Sequence, residues 1–295
     1  MKEVRKAVKV LITGSNGQLG FELMKRCPGE TECRGVDLPE IDITNRDHVN
    51  GLCDDFRPDV LINAAAYTAV DQAETEEEAA FAVNVDGAGN LAEAARSCGS
   101  RLIHISTDFV FDGASGRPYQ VSDPAVPRGV YGKTKLLGEQ AVLRELPDAV
   151  VIRTSWLYSS HGKNFVRTML QLMGKGKPLK VVCDQVGTPT WAGGLAAVLW
   201  EAVRRPGLRG IYHWSDNGVA SWYDFAVAIQ EEAVRLGLLE RIVEILPIKG
   251  EDHRTPAARP SYSVMDIADT RKKLGLQGTH WRENLRIMLR ELIGE

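Results

Sequence analysis

The chain has 295 residues, 44% hydrophobic and 25% charged, which suits one large or two moderate globular units with a buried core. With 36 Lys and Arg against 39 Asp and Glu its formal charge is -3, too balanced for a protein whose main task is to neutralise nucleic-acid phosphates or an anionic membrane. No stretch approaches the roughly 18 apolar residues of a membrane span, and the charged start, Met1-Lys2-Glu3-Val4-Arg5-Lys6, lacks the apolar segment of a secretory signal.

In chain order, residues 8–13 read as a buried strand, followed by a glycine turn and a helix over about 17–27. A short strand ends near Val36-Asp37, and a helix opens at Thr44 as its N-cap. Residues 59–63 are another buried strand, and a long helix is predicted over 74–98, with apolar positions at Ala79, Ala80, Val83, Leu91, Ala94 and Ala95. Then 101–105 is a strand, 131–146 a helix and 149–153 a strand. Strands alternating with crossover helices predict an α/β fold: a Rossmann-like, doubly wound parallel sheet covered on both faces.

Past about residue 160 the rhythm changes, with loops at 174–178 and 249–260 and helices at 222–236 and 281–292. Residues 210–214 read as a late strand returning to the first sheet. The expected organisation is a dinucleotide-binding domain of 1–170 plus about 191–216, and a smaller, interwoven substrate domain of about 171–190 and 217–295.

The five cysteines (Cys27, Cys33, Cys53, Cys98, Cys183) are odd in number and form no CxxC pair, and the six histidines form no HExxH. Neither a disulfide framework nor a metal centre is expected, and the chain reads as a reduced, cytoplasmic protein. The acidic cluster Glu74, Glu76, Glu77 and Glu78 reads as the first turn of a helix, stabilised by its dipole and by water.

The chemistry concentrates in three places. Gly14-Ser15-Asn16-Gly17-Gln18-Leu19-Gly20 follows a strand and opens a helix, so its glycines let the backbone turn tightly and approach a pyrophosphate at the helix N-terminus. The pattern is GxxGxxG, Asn16 replacing the middle glycine of the commoner motif. Asp37 ends the next strand, where an acid holds an adenosine ribose hydroxyl, while Arg34 and Arg46 nearby leave NADH and NADPH both open. Tyr131 and Lys135 stand four residues apart on one helix face, where an ammonium and an oxidised nicotinamide would lower a phenol's pKa. Ser106-Thr107-Asp108 follows a strand at the carboxyl edge of the sheet, where a hydroxyl can bind a substrate oxygen.

Taken together these residues resemble the extended short-chain dehydrogenase/reductases and, within them, the dTDP-4-dehydrorhamnose reductase family. The resemblance is carried by Gly14 to Gly20 with its Gln18, by Asn63 to Asp71, by Ser106 to Gly113, by Arg153 to Tyr158, by Asp184 to Thr190 and by Arg259-Pro260. It implies reduction of the C4 ketone of dTDP-4-dehydro-L-rhamnose by NADPH or NADH, with Thr107, Tyr131 and Lys135 as the catalytic trio. It further implies a pyrophosphate at Gly17-Gln18-Leu19, the adenosine ribose at Asp37, adenine near Asp42-Ile43, and Ala66-Tyr67-Thr68 lining the cofactor beside Tyr131 and Lys135. Asp108 and Trp156 would meet the sugar. Among the basic residues of the second half, Arg259, with Arg254 and Lys249 behind it, is the candidate for the diphosphate, a solvated loop being the alternative. Some members dimerise through magnesium held by glutamates. Glu22 matches one such position, but Gly193 stands where a second glutamate is expected, so no metal is assigned and a homodimer stays open. The rival readings are an epimerase or dehydratase on another nucleotide sugar, and a non-catalytic regulatory subunit like the one that binds methionine adenosyltransferase.

Overall fold

The computed structural model describes residues 7–294; the charged start at 1–6 lies outside the described residues. The first half alternates strand and helix: β1 (Val8–Thr13), α1 (Gln18–Lys25), β2 (Thr31–Val36), α2 (Arg46–Phe56) and β3 (Val60–Asn63). Next come α3 (Val70–Ala73), α4 (Glu77–Phe81), a π-helical stretch at Ala82–Gly87, α5 (Ala88–Cys98), β4 (Arg101–Thr107), α6 (Val130–Glu145) and β5 (Val150–Thr154). The second half holds β6 (Leu157–Tyr158), α7 (Phe165–Gly174), β7 (Leu179–Val182), β8 (Val186–Gly187), β9 (Thr190–Trp191), α8 (Ala192–Val203) and β10 (Gly210–His213). It ends with β11 (Ala220–Ser221), α9 (Trp222–Arg235), β12 (Ile245–Ile248), α10 (Ala268–Leu274) and α11 (Trp281–Ile293).

The main sheet has the order β10-β5-β4-β3-β1-β2, and each neighbouring pair is parallel. Successive side chains of a strand point to opposite faces, which is why the central strands carry apolar runs such as Val60-Leu61-Ile62 and Val150-Val151-Ile152. Val10 and Ile12 of β1 join a core with Leu19, Leu23, Leu195 and Leu199, under α1 and α8. Leu11 joins a core on the other face with Val49, Leu52, Leu91 and Val142, under α2, α5 and α6. The late strand expected at 210–214 is β10, which extends the sheet beyond β5. A further core forms around α7, α9 and α11, where Tyr158, Val166, Phe225, Ile229, Leu285 and Leu289 pack together. Among the described residues, no helix is long and apolar enough to cross a membrane.

The structure corrects three sequence expectations. The long helix over 74–98 starts only at Glu77, after the separate turn α3, and passes through the π-helical stretch between α4 and α5. A π-helical turn accommodates an extra residue, and here it sits where α6 packs closest, because a Cβ at Gly138 would collide with the Asn84 carbonyl. The N-cap of α2 is Asn45, whose side chain accepts from the backbone N–H groups of Asp47 and His48, while Thr44 turns back to Asp42. Finally, Cys27 and Cys33 form a disulfide between the end of α1 and β2, so the absence of CxxC spacing did not exclude a bridge. A compartment inferred from cysteine usage loses its support with it.

The tight seat of Gly138 has a measurable consequence. Gly138→Ala gains helix propensity of up to about 1 kcal/mol but drives a methyl into backbone, so the net effect is destabilising by about 1–3 kcal/mol. Urea denaturation should show a lower midpoint with an unchanged slope.

Candidate active site

At the carboxyl end of the sheet the β1–α1 turn forms a bare backbone cradle. Gly14 has φ +74°, and a Cβ there would lie 2.5 Å from the Ala65 nitrogen, so only glycine lets this turn lie against the end of β3. A Cβ on Gly20 would strike the Gly14 carbonyl, which requires glycine where α1 leaves the turn. Gly17 caps α1 without a side-chain bond, and the Gln18 Oε1 is buried with no partner. Uncapped N–H groups suit an anionic ligand, and the Gln18 amide oxygen beside them is an acceptor open to a donor of that ligand. Leu19 instead points into the core at 5% exposure.

Asp37 joins this loop to β2, its carboxylate accepting from the Asn16 and Leu38 backbone N–H groups at 2.9 and 2.8 Å. Arg34 is held by Asp55 and Glu40, and Arg46 by Glu93. The Asp42 carboxylate accepts from the Thr44 amide and hydroxyl, while Ile43 is buried over Gly87. Beyond β3, Ala66 and Tyr67 are half-buried and Thr68 exposed. The Tyr67 amide donates to Asn84 Oδ1, and Asn84 Nδ2 donates to the Tyr67 carbonyl and to Thr134 Oγ1 of α6.

The proposed catalytic groups come from β4 and α6. Thr107 ends β4, accepts from the Phe109 amide at 3.2 Å, and donates to Asp108 Oδ1 at 3.1 Å. Tyr131 stands in the first turn of α6, edge-to-face with Phe109, and its phenol lies beside the Thr107 hydroxyl. One turn on, Lys135 is 2% exposed and its ammonium donates to the Ile105 carbonyl at 2.7 Å. The structure thus brings Thr107 and Tyr131 together, with Lys135 immediately beneath on the same helix.

The electrostatics differ from the sequence expectation. Burial pushes the Tyr131 phenol up to about 12; the Thr107 hydroxyl pulls against this and the Asp108 charge adds to it. Burial pushes the Lys135 ammonium down to about 8, against the pull of Glu139. Without the cofactor's positive ring, the lysine's charge does not offset the loss of water around the phenol. Tyr131 is therefore set as a proton donor.

The substrate-side candidates fare differently. Asp108 is 1% exposed, its Oδ2 has no hydrogen-bond partner within the site, and burial raises its carboxyl to about 6 against the pull of the nearby Ser263 and Thr107 hydroxyls. Trp156 has φ +45°, rare for an aromatic residue. Its indole stacks on Trp222 with centroids 3.5 Å apart, and a Cβ on Gly187 would lie 2.5 Å from its Cε2. Arg259 is committed to a two-pronged pair with Asp71, at 3.0 and 2.9 Å, so its guanidinium is not a free anion site. Lys249 pairs with Glu251 on the surface. Glu22 is fully buried and bound to Arg26 and to the Ser159 hydroxyl, and a Cβ at Gly193 would meet Trp191 and Arg26.

Several positioning residues have no local sequence signal. Glu74 Oε1 accepts from the Val130 amide at 2.8 Å and so caps the helix that carries Tyr131 and Lys135, whose own N-cap, Gly129, has no side chain. Glu76 accepts from the Tyr67 hydroxyl and Glu77 pairs with Lys133. The acidic cluster is thus a set of specific docking contacts rather than a merely solvated turn. His161 stacks on Phe21 and meets the Asn16 carbonyl at 2.9 Å, covering the glycine turn from the second half.

The sequence model of the RmlD substrate binding domain matches residues 8–293. The chain is 42% identical to a dTDP-4-dehydrorhamnose reductase of Aggregatibacter actinomycetemcomitans over 94% of this chain and 97% of that protein. It is also 42% identical to a probable dTDP-4,6-dihydroxy-2-methyloxan-3-one 4-ketoreductase of Streptomyces antibioticus, over 94% of this chain and 92% of that one. A solved dTDP-4-dehydrorhamnose reductase of Bacillus anthracis, in complex with NADP, superposes with a TM-score of 0.91 at 37% identity, covering 96% of this chain and 99% of that one. The chain belongs to the RmlD substrate binding domain family.

The buried Asp108 predicts a stability that depends on pH. Between its ordinary value of 3.8 and about 6 the folded chain keeps the proton that the unfolded chain loses, so stability falls as pH rises through that window. Asp108→Asn should therefore stabilise the fold by up to about 3 kcal/mol at pH values above the window, and by little below it. Urea denaturation at the two extremes measures the difference.

Proposed function

We propose that this chain reduces the C4 ketone of dTDP-4-dehydro-L-rhamnose to give dTDP-L-rhamnose, with NADPH or NADH as the reductant. The observation that carries the reading is the placement of a protonated phenol beside the Thr107 hydroxyl, one helical turn from a buried ammonium, at the edge of the sheet where the glycine cradle opens. The kinship with named 4-ketoreductases supports it. A regulatory subunit has no need of this trio.

In this reading Gly14, Asn16, Gly17 and Gln18 cradle the pyrophosphate, with Leu19 anchoring their helix in the core. Asp37 takes the adenosine ribose, backbone at Asp42-Ile43 borders the adenine, and Ala66-Tyr67-Thr68 line the cofactor's length. When bound, the reduced nicotinamide supplies the hydride for the sugar C4. Thr107 donates a hydrogen bond to the C4 oxygen and Tyr131 delivers a proton to it as negative charge develops there. An alkoxide is far more basic than a phenolate, so a phenol raised to about 12 still gives its proton up downhill. Lys135 then faces the phenolate that remains and fixes the nicotinamide ribose. Asp108 offers its unpartnered oxygen to a sugar hydroxyl, and the Trp156 indole lies against the deoxyhexose. We assign residues 1–170 with about 191–216 to the dinucleotide and the segments at about 171–190 and 217–295 to the nucleotide sugar.

Tyr131→Phe tests the assignment. Turnover, followed as loss of reduced-nicotinamide absorbance, should fall by about 10²–10⁴-fold, while the dissociation constant for NADPH stays within a few-fold of the parent's. Near-parental turnover would reject the role given to the phenol.

A further inference from the structure

Beneath the trio lies a buried ionic cluster that the reaction as described does not use. Glu139, one turn beyond Lys135 on α6, is 2% exposed. Its Oε1 accepts from the Ser106 hydroxyl at 2.5 Å and from Arg153 Nε of β5 at 2.9 Å, and its Oε2 accepts from Arg153 Nη2 at 2.7 Å. Arg153 is 3% exposed, lies over the Phe111 ring, and reaches His213 Nε2 at 3.5 Å. A single carboxylate therefore joins β4, α6 and β5. Ser106 is the neighbour of Thr107, so the same contact fixes the strand bearing the hydroxyl against the helix bearing the phenol and the lysine.

The charges around Lys135 make that carboxylate more than a rivet. On α6 itself Lys135 faces Tyr131 and Glu139. From β4 it faces His104, and Asp108 lies beyond on the Tyr131 side; Arg153 of β5 pairs with Glu139, and His213 of β10 meets Arg153. Burial keeps both histidines neutral near neutral pH. Glu139 is thus bonded to one buried cation, Arg153, and lies one helical turn from a second, Lys135, whose ammonium its charge favours. A guanidinium does not give up its proton in a protein, whereas a buried lysine does. Any loss of negative charge here falls on Lys135.

We propose that Glu139 is a positioning residue of the ketoreduction site: it registers Thr107 against Tyr131 through Ser106 and supplies the counter-charge that keeps Lys135 an ammonium. This rests on the assignment of Lys135 to the bound dinucleotide. It makes the site's alkaline limit a property of a residue that touches neither sugar nor cofactor.

The test follows two pH profiles, kcat for the ketone and the dissociation constant for NADPH read by its fluorescence, in the parent and four variants. The parent should lose NADPH affinity and turnover as pH rises through about 8. Glu139→Gln should move that limit down by about one pH unit or more, since it removes the negative charge that favours the Lys135 ammonium. Arg153→Gln, which leaves Glu139 to Lys135 alone, should move it up. Glu139→Gln with Arg153→Gln, which removes one charge of each sign, should bring it back toward the parent's. Ser106→Ala should lower kcat several-fold with the limit unmoved. Should Glu139→Gln not fold because Arg153 is left buried and unpaired, Arg153→Gln decides alone, and a limit that stays put there overturns the proposal. So does a folded Glu139→Gln variant with an unshifted limit, which is what a purely structural carboxylate would give. Failure of the parent to oxidise NADPH with the ketone would instead sink the functional reading, and leave the NADPH-affinity limits to judge Glu139.

Discussion

A lysine held almost without solvent beside a phenol is the constraint on which the site depends. Burying an ammonium costs several kcal/mol unless other groups compensate. Here Lys135 finds the Ile105 carbonyl at the end of β4, and its charge is balanced from below by Glu139. Both partners belong to the scaffold and not to any ligand, so the lysine is in place before anything binds. What remains uncompensated is the phenol, raised by burial and by Asp108. The result is a site organised to give a proton when negative charge appears on a bound oxygen.

Holding that arrangement requires α6 to lie at a fixed height above the sheet, and the surrounding irregularities serve this. Gly138 and Gly132 let α6 approach the Asn84 and Phe109 carbonyls more closely than any side chain allows. The π-helical stretch at Ala82–Gly87 turns Asn84 toward both Tyr67 and Thr134, tying the loop after β3 to α6. Glu74 supplies from a distant loop the cap that Gly129 cannot. π-Helical turns recur at functional sites, and here the turn has an identifiable task.

The parts of this picture that were legible in the sequence are those written in short-range pattern. Strands buried on both faces have no polar alternation, so β1, β3, β4 and β5 stand out as apolar runs, and the strand–glycine–helix order betrays the cradle. Tyr131 and Lys135 are recognisable because helical geometry converts a four-residue spacing into proximity. What escaped depends on contacts distant in sequence. The Asp71–Arg259 pair spans 188 positions, and it engages a guanidinium that the sequence offered to a diphosphate. The π-helical stretch at Ala82–Gly87 lies where α6 approaches, and the strained Trp156 is set between Gly187 and Trp222; the Cys27–Cys33 bridge spans only six positions but needs the apposition of α1 and β2. None of these leaves a local signature.

The central claim is that phenol, hydroxyl and ammonium converge to reduce a sugar ketone with a consumed dinucleotide. It is tested most directly by following the transferred hydrogen. With dTDP-4-dehydro-L-rhamnose and NADPH deuterated on the transferred face of the nicotinamide, the account predicts dTDP-L-rhamnose carrying one deuterium at C4, with one dinucleotide oxidised per sugar. A sugar product without deuterium, formed while the dinucleotide stays reduced, would contradict it.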